Sequence, residues 1–149
     1  MYRVTIIAQG KLRERFWREA AAHYLERLRP LAKVSIVEIK EKETLAGRLS
    51  SLVSGRGFIV ALDERGQQQS SEELAATVAT VATGGNDLYF LIGGADGLPE
   101  EVIKSAHLVL SFSRLTYPSQ LFRIMLLEQL YRVFTIINGM PYHSGHRGL

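Results

Sequence analysis

Runs of apolar residues alternate along this chain with segments of helical periodicity. Four of the runs hold few polar residues and are typical of strands buried on both faces of a sheet; they are residues 3–8, 58–62, 88–92 and 108–112. A fifth segment, Lys33 to Ile39, alternates apolar with polar side chains, which predicts a strand near the edge of the sheet.

Five other segments carry apolar residues at the spacing of a helix: residues 12–28, 45–53, 70–83, 99–106 and 118–137. Ser70 followed by Glu73 is a capping-box pattern at the start of the third. Pro99 and Pro118 suit the first position of the fourth and fifth helices, which needs no backbone N–H donor. Strands alternating with helices predict an α/β fold, a mainly parallel sheet with helices on both faces, in a single domain spanning residues 1–149.

The last predicted helix is apolar on nearly every face. Its polar residues between positions 121 and 137 are Arg123, Glu128, Gln129, Arg132 and Thr135. A helix of this kind must be covered on both sides, and a chain of 149 residues seldom has the depth for that. We therefore expect a second copy of the chain to cover one side, in a homodimer; a central helix within one chain is the alternative.

Two arginines of this helix differ in their expected partners. Glu128 and Arg132 are four residues apart, so they are predicted to pair. Arg123 has no such neighbour in the sequence and is therefore a candidate for binding an anion.

Charge is unevenly distributed along the chain, although the net charge is only +3. Basic and acidic residues number seven and three in residues 1–29, seven and eleven in residues 30–106, and four and one in residues 107–149. Basic ends around an acidic middle would place a positive face against a polyanion. A solvated helix surface is the alternative explanation.

The composition excludes several kinds of chemistry. The chain has no cysteine, so disulfides, thiol nucleophiles, iron–sulfur clusters and cysteine-ligated zinc are ruled out. His143 and His146 have no third or fourth ligand nearby in the sequence, and we expect no metal site. The first eight residues resemble a strand rather than a signal peptide, and no apolar run approaches the roughly 20 residues of a membrane helix. We expect a cytoplasmic protein without a membrane segment.

Three segments at the predicted carboxyl ends of strands are candidates for a ligand site: residues 62–66, 93–97 and 111–118. The second is rich in glycine but lacks the GxGxxG pattern, and no P-loop or GxSxG motif occurs in the chain. Asp63, Glu64 and Asp96 would repel a triphosphate. These glycines either let the backbone approach a ligand closely or form a structural turn.

The third segment offers hydroxyl groups, apolar walls, a cation and a rigid exit into the last helix; these are Ser113, Thr116, Leu115, Tyr117, Arg114 and Pro118. Such groups suit a small-molecule pocket. A capped helix entry with incidental hydroxyls is the alternative.

Taken together and in this order, the motifs of the chain resemble those of the RlmH family, small bacterial methyltransferases of the SPOUT class that act on large-subunit ribosomal RNA. The motifs are Leu62-Asp63-x-x-Gly66, Ile92-Gly93-Gly94-x-x-Gly97, Leu110-Ser111-x-Ser113-x-Leu115-Thr116-x-Pro118, Arg123-x4-Glu128-Gln129-x-Tyr131-Arg132 and Pro141-Tyr142-His143. The resemblance implies S-adenosylmethionine as the methyl donor and N3 of a pseudouridine in 23S rRNA, within the assembled ribosome, as the acceptor. It also implies a homodimer and a C-terminal trefoil knot.

By position, the resemblance assigns the donor pocket to Leu62, Gly94 and the run from Ser113 to Pro118. The catalytic candidates are His143, for assisting proton loss at N3 or orienting the base, and Arg123. The candidates for contacts with the substrate base or RNA are Arg123, Arg132, Arg114, Tyr142, Arg13, Arg15 and Arg18.

The chain departs from the family pattern in two places. Ser119 stands where the family often has histidine, and residues 144–149 extend past the usual end. A non-catalytic ribosome-binding factor on the same fold is the alternative function, and binding of S-adenosylmethionine would discriminate between the two.

Overall fold

The computed structural model describes residues 1–142 of the chain. Its strands are β1 (Tyr2–Gln9), β2 (Ala32–Ile39), β3 (Gly57–Gln68), β4 (Asp87–Ile92) and β5 (Leu108–Ser111). Its helices are α1 (Arg15–Leu28), α2 (Leu45–Leu52), α3 (Ser71–Thr83), α4 (Glu100–Ser105) and α5 (Ser119–Ile137). The predicted order of elements is confirmed.

All five strands form one parallel sheet in the order β2-β1-β4-β3-β5. The segment from Lys33 to Ile39 is therefore an edge strand, as its alternation predicts. Helices α1, α3 and α5 pack on one face of the sheet, and α2 and α4 on the other, each face with its own buried apolar cluster. The α/β fold with helices on both faces is confirmed, and the trefoil knot stays a prediction.

Strand β3 is longer than its apolar run. It continues through Asp63 to Gln68 and pairs with β5 on both sides of an irregularity between Leu62 and Gln67. A Cβ at Gly66 would lie 2.6 Å from the Val109 carbonyl oxygen, so only glycine allows the two strands to approach this closely. The expectation of a plain loop after Leu62 is wrong, because a bulge with polar residues has the composition of a loop.

Helix α1 begins at Arg15, three residues after the predicted start. The intervening backbone has other partners: Leu12 N–H donates to Glu38 and Arg13 N–H to Gln120. Pro99 and Pro118 likewise stand one residue before their helices.

Helix α5 is covered within one chain. It packs against α1, α3 and the sheet, and none of its 19 residues is fully exposed. Nine of its residues are buried and the other ten are partly exposed, so packing within one chain accounts for part of its apolar pattern. The homodimer stays a prediction. No helix within residues 1–142 has the length and hydrophobicity needed to cross a bilayer.

Candidate functional site

A cavity of about 450 Å³ lies at the carboxyl ends of the strands. The three candidate segments converge on it, together with the first turn of α5. Its lining consists of residues 62–65 and 92–98 with Phe112, Ser113, Leu115, Thr116, Tyr117, Ser119 and Phe122. A volume of this size is in the range of pockets for small molecules and cofactors, about 300–1,000 Å³.

Apolar side chains form the walls of the cavity. Leu62 and Ile92 are the last buried residues of their apolar runs. The Phe112 and Phe122 rings lie 4.8 Å apart, and the Tyr117 ring lies 6.0 Å from that of Phe122. This arrangement suits a flat apolar group such as an aromatic base.

The glycine segment folds into a tight turn at the cavity. Gly97 N–H donates to the Gly94 carbonyl oxygen at 3.0 Å, and Gly97 has a φ of +75°. A Cβ on Gly93 would lie 2.3 Å from the carbonyl carbon of Gly97. At Gly94 the nearest atom would be Cγ of Gln9, at 3.5 Å. Gly93 is thus required by the fold, whereas the cavity-lining Gly94 has room for a side chain within the protein.

The segment after β5 is held in place by its own hydroxyl groups. Ser113 Oγ accepts a hydrogen bond from Leu115 N–H at 2.9 Å and shares one with the Tyr117 hydroxyl at 2.8 Å. Thr116 Oγ1 donates to Glu64 Oε2 at 3.0 Å. The last contact joins two sides of the cavity that are 52 residues apart in the chain.

Carboxylates outnumber cations in the cavity lining. Asp63, Glu64 and Asp96 lie there with Arg65. Arg65 Nε and Nη2 donate to the two Asp63 oxygens at 3.0 and 3.2 Å, and this pairing lowers the pKa of Asp63 below its usual value. The negative surplus favours a cationic ligand and disfavours a triphosphate, as expected from the sequence.

Comparison with known proteins bears directly on this cavity. Residues 2–143 match the family model described as "Predicted SPOUT methyltransferase". The chain belongs to the SPOUT methyltransferase family. Two curated relatives, each named "Ribosomal RNA large subunit methyltransferase H", confirm the resemblance to the RlmH branch. The protein of Pelotomaculum thermopropionicum is 43% identical, with 96% of this chain and 99% of the relative aligned. That of Carboxydothermus hydrogenoformans is 40% identical, with 95% and 99% aligned.

Solved SPOUT-like structures agree at the level of the fold. A probable methylase family protein from Haemophilus influenzae Rd KW20 has a TM-score of 0.61 at 11% identity and covers 94% of this chain and 70% of its own. A probable methyltransferase from Bordetella pertussis Tohama I has a TM-score of 0.60 at 12% identity and covers 89% of this chain and 96% of its own.

Most of the residues predicted to hold a cofactor line this SPOUT cavity: Leu62, Gly94, Ser113, Leu115, Thr116 and Tyr117. Arg114 and Pro118 are exposed and lie outside the lining. Sequence reasoning missed Phe112 and Phe122. Phe112 could have been predicted, because it ends an apolar run at the edge of the sheet. Phe122 could not, because the sequence does not distinguish it from the other apolar residues of α5.

Arg123 is buried and paired, contrary to the expectation from the sequence. Its side chain is 1% exposed, and Nη1 donates to Glu38 at 2.8 Å while Nη2 donates to the Gly10 carbonyl oxygen at 3.0 Å. Burial lowers the pKa of this guanidinium, and Glu38 acts in the opposite direction. The expectation that Arg123 is unpartnered and open to an anion is wrong, because its partner lies 85 residues away on β2.

Arg132 and Tyr142 lie together at the other end of α5. Arg132 Nη2 donates to Glu128 at 2.6 Å, which confirms the predicted pair, and the Tyr142 hydroxyl donates to the same oxygen at 3.1 Å. The guanidinium of Arg27 stacks over the rings of Tyr131 and Tyr142. Burial, followed by the charge of Glu128, raises the pKa of Tyr142. The role of Arg132 and Tyr142 in RNA binding stays a prediction.

The remaining candidates divide into surface residues and one that lies beyond the described chain. Arg13 and Arg15 are exposed and pair with Glu41 and Glu19. His143 falls outside residues 1–142, as does the extension at 144–149. Within the described residues no group of three or more metal-ligating side chains occurs.

Proposed function

We propose that this chain transfers a methyl group from S-adenosylmethionine to N3 of a pseudouridine in 23S rRNA within the assembled ribosome. The cavity at the carboxyl ends of β3, β4 and β5 carries the proposal, because it is assembled from the same three segments that the resemblance assigned to the donor. The names of the curated relatives support ribosomal RNA as the substrate class.

The chemistry of the lining fits S-adenosylmethionine. The apolar walls suit its adenine ring, and the surplus of carboxylates suits its sulfonium and ammonium charges. When bound, this group supplies an electrophilic methyl carbon. The residues proposed to hold it are Leu62, Gly94, Ser113, Leu115, Thr116 and Tyr117; Arg114 and Pro118 would act from outside the lining, Pro118 by setting the entry into α5.

The acceptor nitrogen carries a proton that must leave before N3 can form a bond to carbon. His143 is proposed to assist that loss or to orient the base, with the tail coming from the second subunit of a homodimer. Positioning alone can account for much of such a rate, so the proposal does not depend on a base.

Ribosomal RNA is proposed to bind on the basic surface near the start of α1. Arg13, Arg15 and Arg18 are all exposed there. Since such contacts displace counterions from the phosphate backbone, binding should weaken steeply as salt is added. The trefoil knot and action in the cytoplasm belong to the same proposal.

The test is mass spectrometry of 23S rRNA from cells with and without this gene. The proposal expects one methylated pseudouridine to disappear with the gene and to return when purified protein, ribosomes and S-adenosylmethionine are combined. Unchanged rRNA in both comparisons contradicts it. In that case, calorimetric binding to ribosomes without binding of S-adenosylmethionine would indicate a non-catalytic ribosome-binding factor.

A further inference from the structure

A second concavity lies on the side of α1, over the edge strand β2, and has no part in the donor site. Its volume is about 560 Å³. We call it the α1 groove. Its floor and walls are apolar and are formed by Leu12, Ala21, Leu25 and Ile36, with Ala22 at the exposed edge.

Three cations stand around this floor: Lys11, Arg13 and Arg18. All three are exposed. Arg18 Nη1 donates to the Arg13 carbonyl oxygen at 2.6 Å, which holds its guanidinium at the rim. Within residues 1–142, the Arg13 side chain pairs with Glu41 in an exposed contact that an incoming anion can replace at little cost.

The one carboxylate in the lining of the α1 groove is already paired. Glu38 Oε2 accepts from Arg123 Nη1 at 2.8 Å and from Leu12 N–H at 3.2 Å. Its charge is therefore compensated by the buried arginine beneath it, and the rim keeps a positive surplus. An aliphatic floor below a cationic rim matches a nucleotide, which joins an apolar base face to a phosphate.

The α1 groove also lies beside the donor cavity. Gln120 accepts from Arg13 N–H at 2.9 Å and donates to the Lys11 carbonyl oxygen at 3.0 Å. Its neighbour Ser119 lines the donor cavity. The first turn of α5 thus separates the two concavities.

We propose that the α1 groove binds one nucleotide of single-stranded RNA, with the base on the apolar floor and its phosphates on Lys11, Arg13 and Arg18. This inference rests on the proposed function, since it places a nucleotide that flanks the modified one in a site of its own. The pair Glu38–Arg123 then has a second role: it removes the negative charge that would otherwise repel the phosphate.

The test measures binding of a fluorescein-labelled hexauridylate to the full-length protein by anisotropy, as a function of salt. Ala22→Trp fills the groove from an exposed position of α1, and His23→Trp adds similar bulk at the next, non-lining position. Arg18→Gln removes a rim cation, and Arg29→Gln removes an exposed cation at the far end of α1.

We expect Ala22→Trp to weaken hexauridylate binding about tenfold, while His23→Trp and Arg29→Gln leave it unchanged. Arg18→Gln should weaken binding and lower the slope of log affinity against log salt by about one. Wild-type affinity in Ala22→Trp, or no binding of the RNA by the wild-type protein, overturns the inference.

Two further measurements separate the possible failures. Calorimetry with S-adenosylmethionine should give the same affinity for all four variants as for the wild type. If the wild-type protein does not bind S-adenosylmethionine, the proposed function is contradicted, whereas the hexauridylate measurement still decides whether the α1 groove binds RNA. Light scattering tests whether a second copy of the chain occupies the α1 groove instead. If Ala22→Trp changes the oligomeric state and not the RNA affinity, the groove is an interface between two copies and the inference is wrong.

Discussion

The two ends of α5 lie in different surroundings. At the amino end, Ser119 and Phe122 line the open cavity at the carboxyl ends of the strands. From the middle of the helix to the residues after it, Glu128 accepts hydrogen bonds from Arg132 and Tyr142. The same helix therefore lines an open cavity at its amino end, and its second half takes part in contacts that stabilise the fold. Arg123, one residue after Phe122, belongs with the stabilising contacts because its charge is buried and paired.

The largest effect should come from removing the partner of that buried charge. Glu38→Ala leaves Arg123 with only the Gly10 carbonyl oxygen, and we expect a loss of about 2–3 kcal/mol of unfolding free energy in urea. This is less than the roughly 3–5 kcal/mol lost when a fully buried pair is broken, because Glu38 is half-exposed. Glu41→Ala, which removes an exposed pair from the neighbouring loop, is the matched control and should leave stability unchanged. Equal stability of the two variants would mean that the Glu38–Arg123 pair does not stabilise the fold.

The second-largest effect should separate the role of Gly93 in the fold from that of Gly94 in ligand binding. Gly93→Ala forces a Cβ against Gly97, so both thermal stability and binding of S-adenosylmethionine should fall. Gly94→Ala meets only ordinary contacts and should melt like the wild type. It should weaken binding about tenfold, or ~1.4 kcal/mol, because Gly94 lines the cavity proposed to hold the ligand. Melting curves and calorimetry check both; wild-type affinity in Gly94→Ala contradicts the assignment.

A smaller effect is expected at the carboxyl end of α5. Tyr142→Phe removes the hydrogen bond to Glu128 and keeps the ring, which should cost about 1 kcal/mol of stability. The affinity for S-adenosylmethionine should not change. A loss of affinity without a loss of stability would mean that the two ends of α5 do not divide their roles in this way.

The pH dependence of stability also tests the contribution of Tyr142. The folded protein holds the pKa of Tyr142 above its ordinary value of 10.0. The contribution of this group is therefore fully present below pH 10.0 and is lost as the pH rises toward the folded pKa, since the unfolded phenol ionises first. Urea titrations above pH 10.0 should show a smaller decline for Tyr142→Phe than for the wild type.

The smallest effect concerns the contact across the cavity. Thr116→Val removes the hydrogen bond to Glu64 while keeping the shape of the side chain, and Glu64→Gln keeps an acceptor there. Because the contact is exposed, we expect about a two- to threefold loss of S-adenosylmethionine affinity for Thr116→Val. Glu64→Gln keeps an acceptor for Thr116 but removes one carboxylate from the lining, so it should also weaken binding of the cationic ligand.

Local pattern was sufficient to predict the elements and most of the cavity. The apolar runs gave strand order in the chain, and their last residues, such as Leu62, lie at the edge where the cavity forms. Polar residues 63–66 resembled a loop because a bulge interrupts the alternation that identifies a strand.

Partners distant in sequence could not be predicted in this way. Nothing near Arg123 in the sequence indicates Glu38, and nothing near Thr116 indicates Glu64. The pattern of one helix likewise does not show how much of α5 is covered by α1 and α3 within the chain, and a second copy over α5 stays a prediction.

We propose that the three segments at the carboxyl edge of the sheet enclose S-adenosylmethionine. A crystal structure of the full-length protein grown with this compound tests it most directly. We expect the adenosyl group between Leu62, Gly94 and the stretch from Ser113 to Tyr117. Density for the compound elsewhere, with this cavity empty, would contradict it.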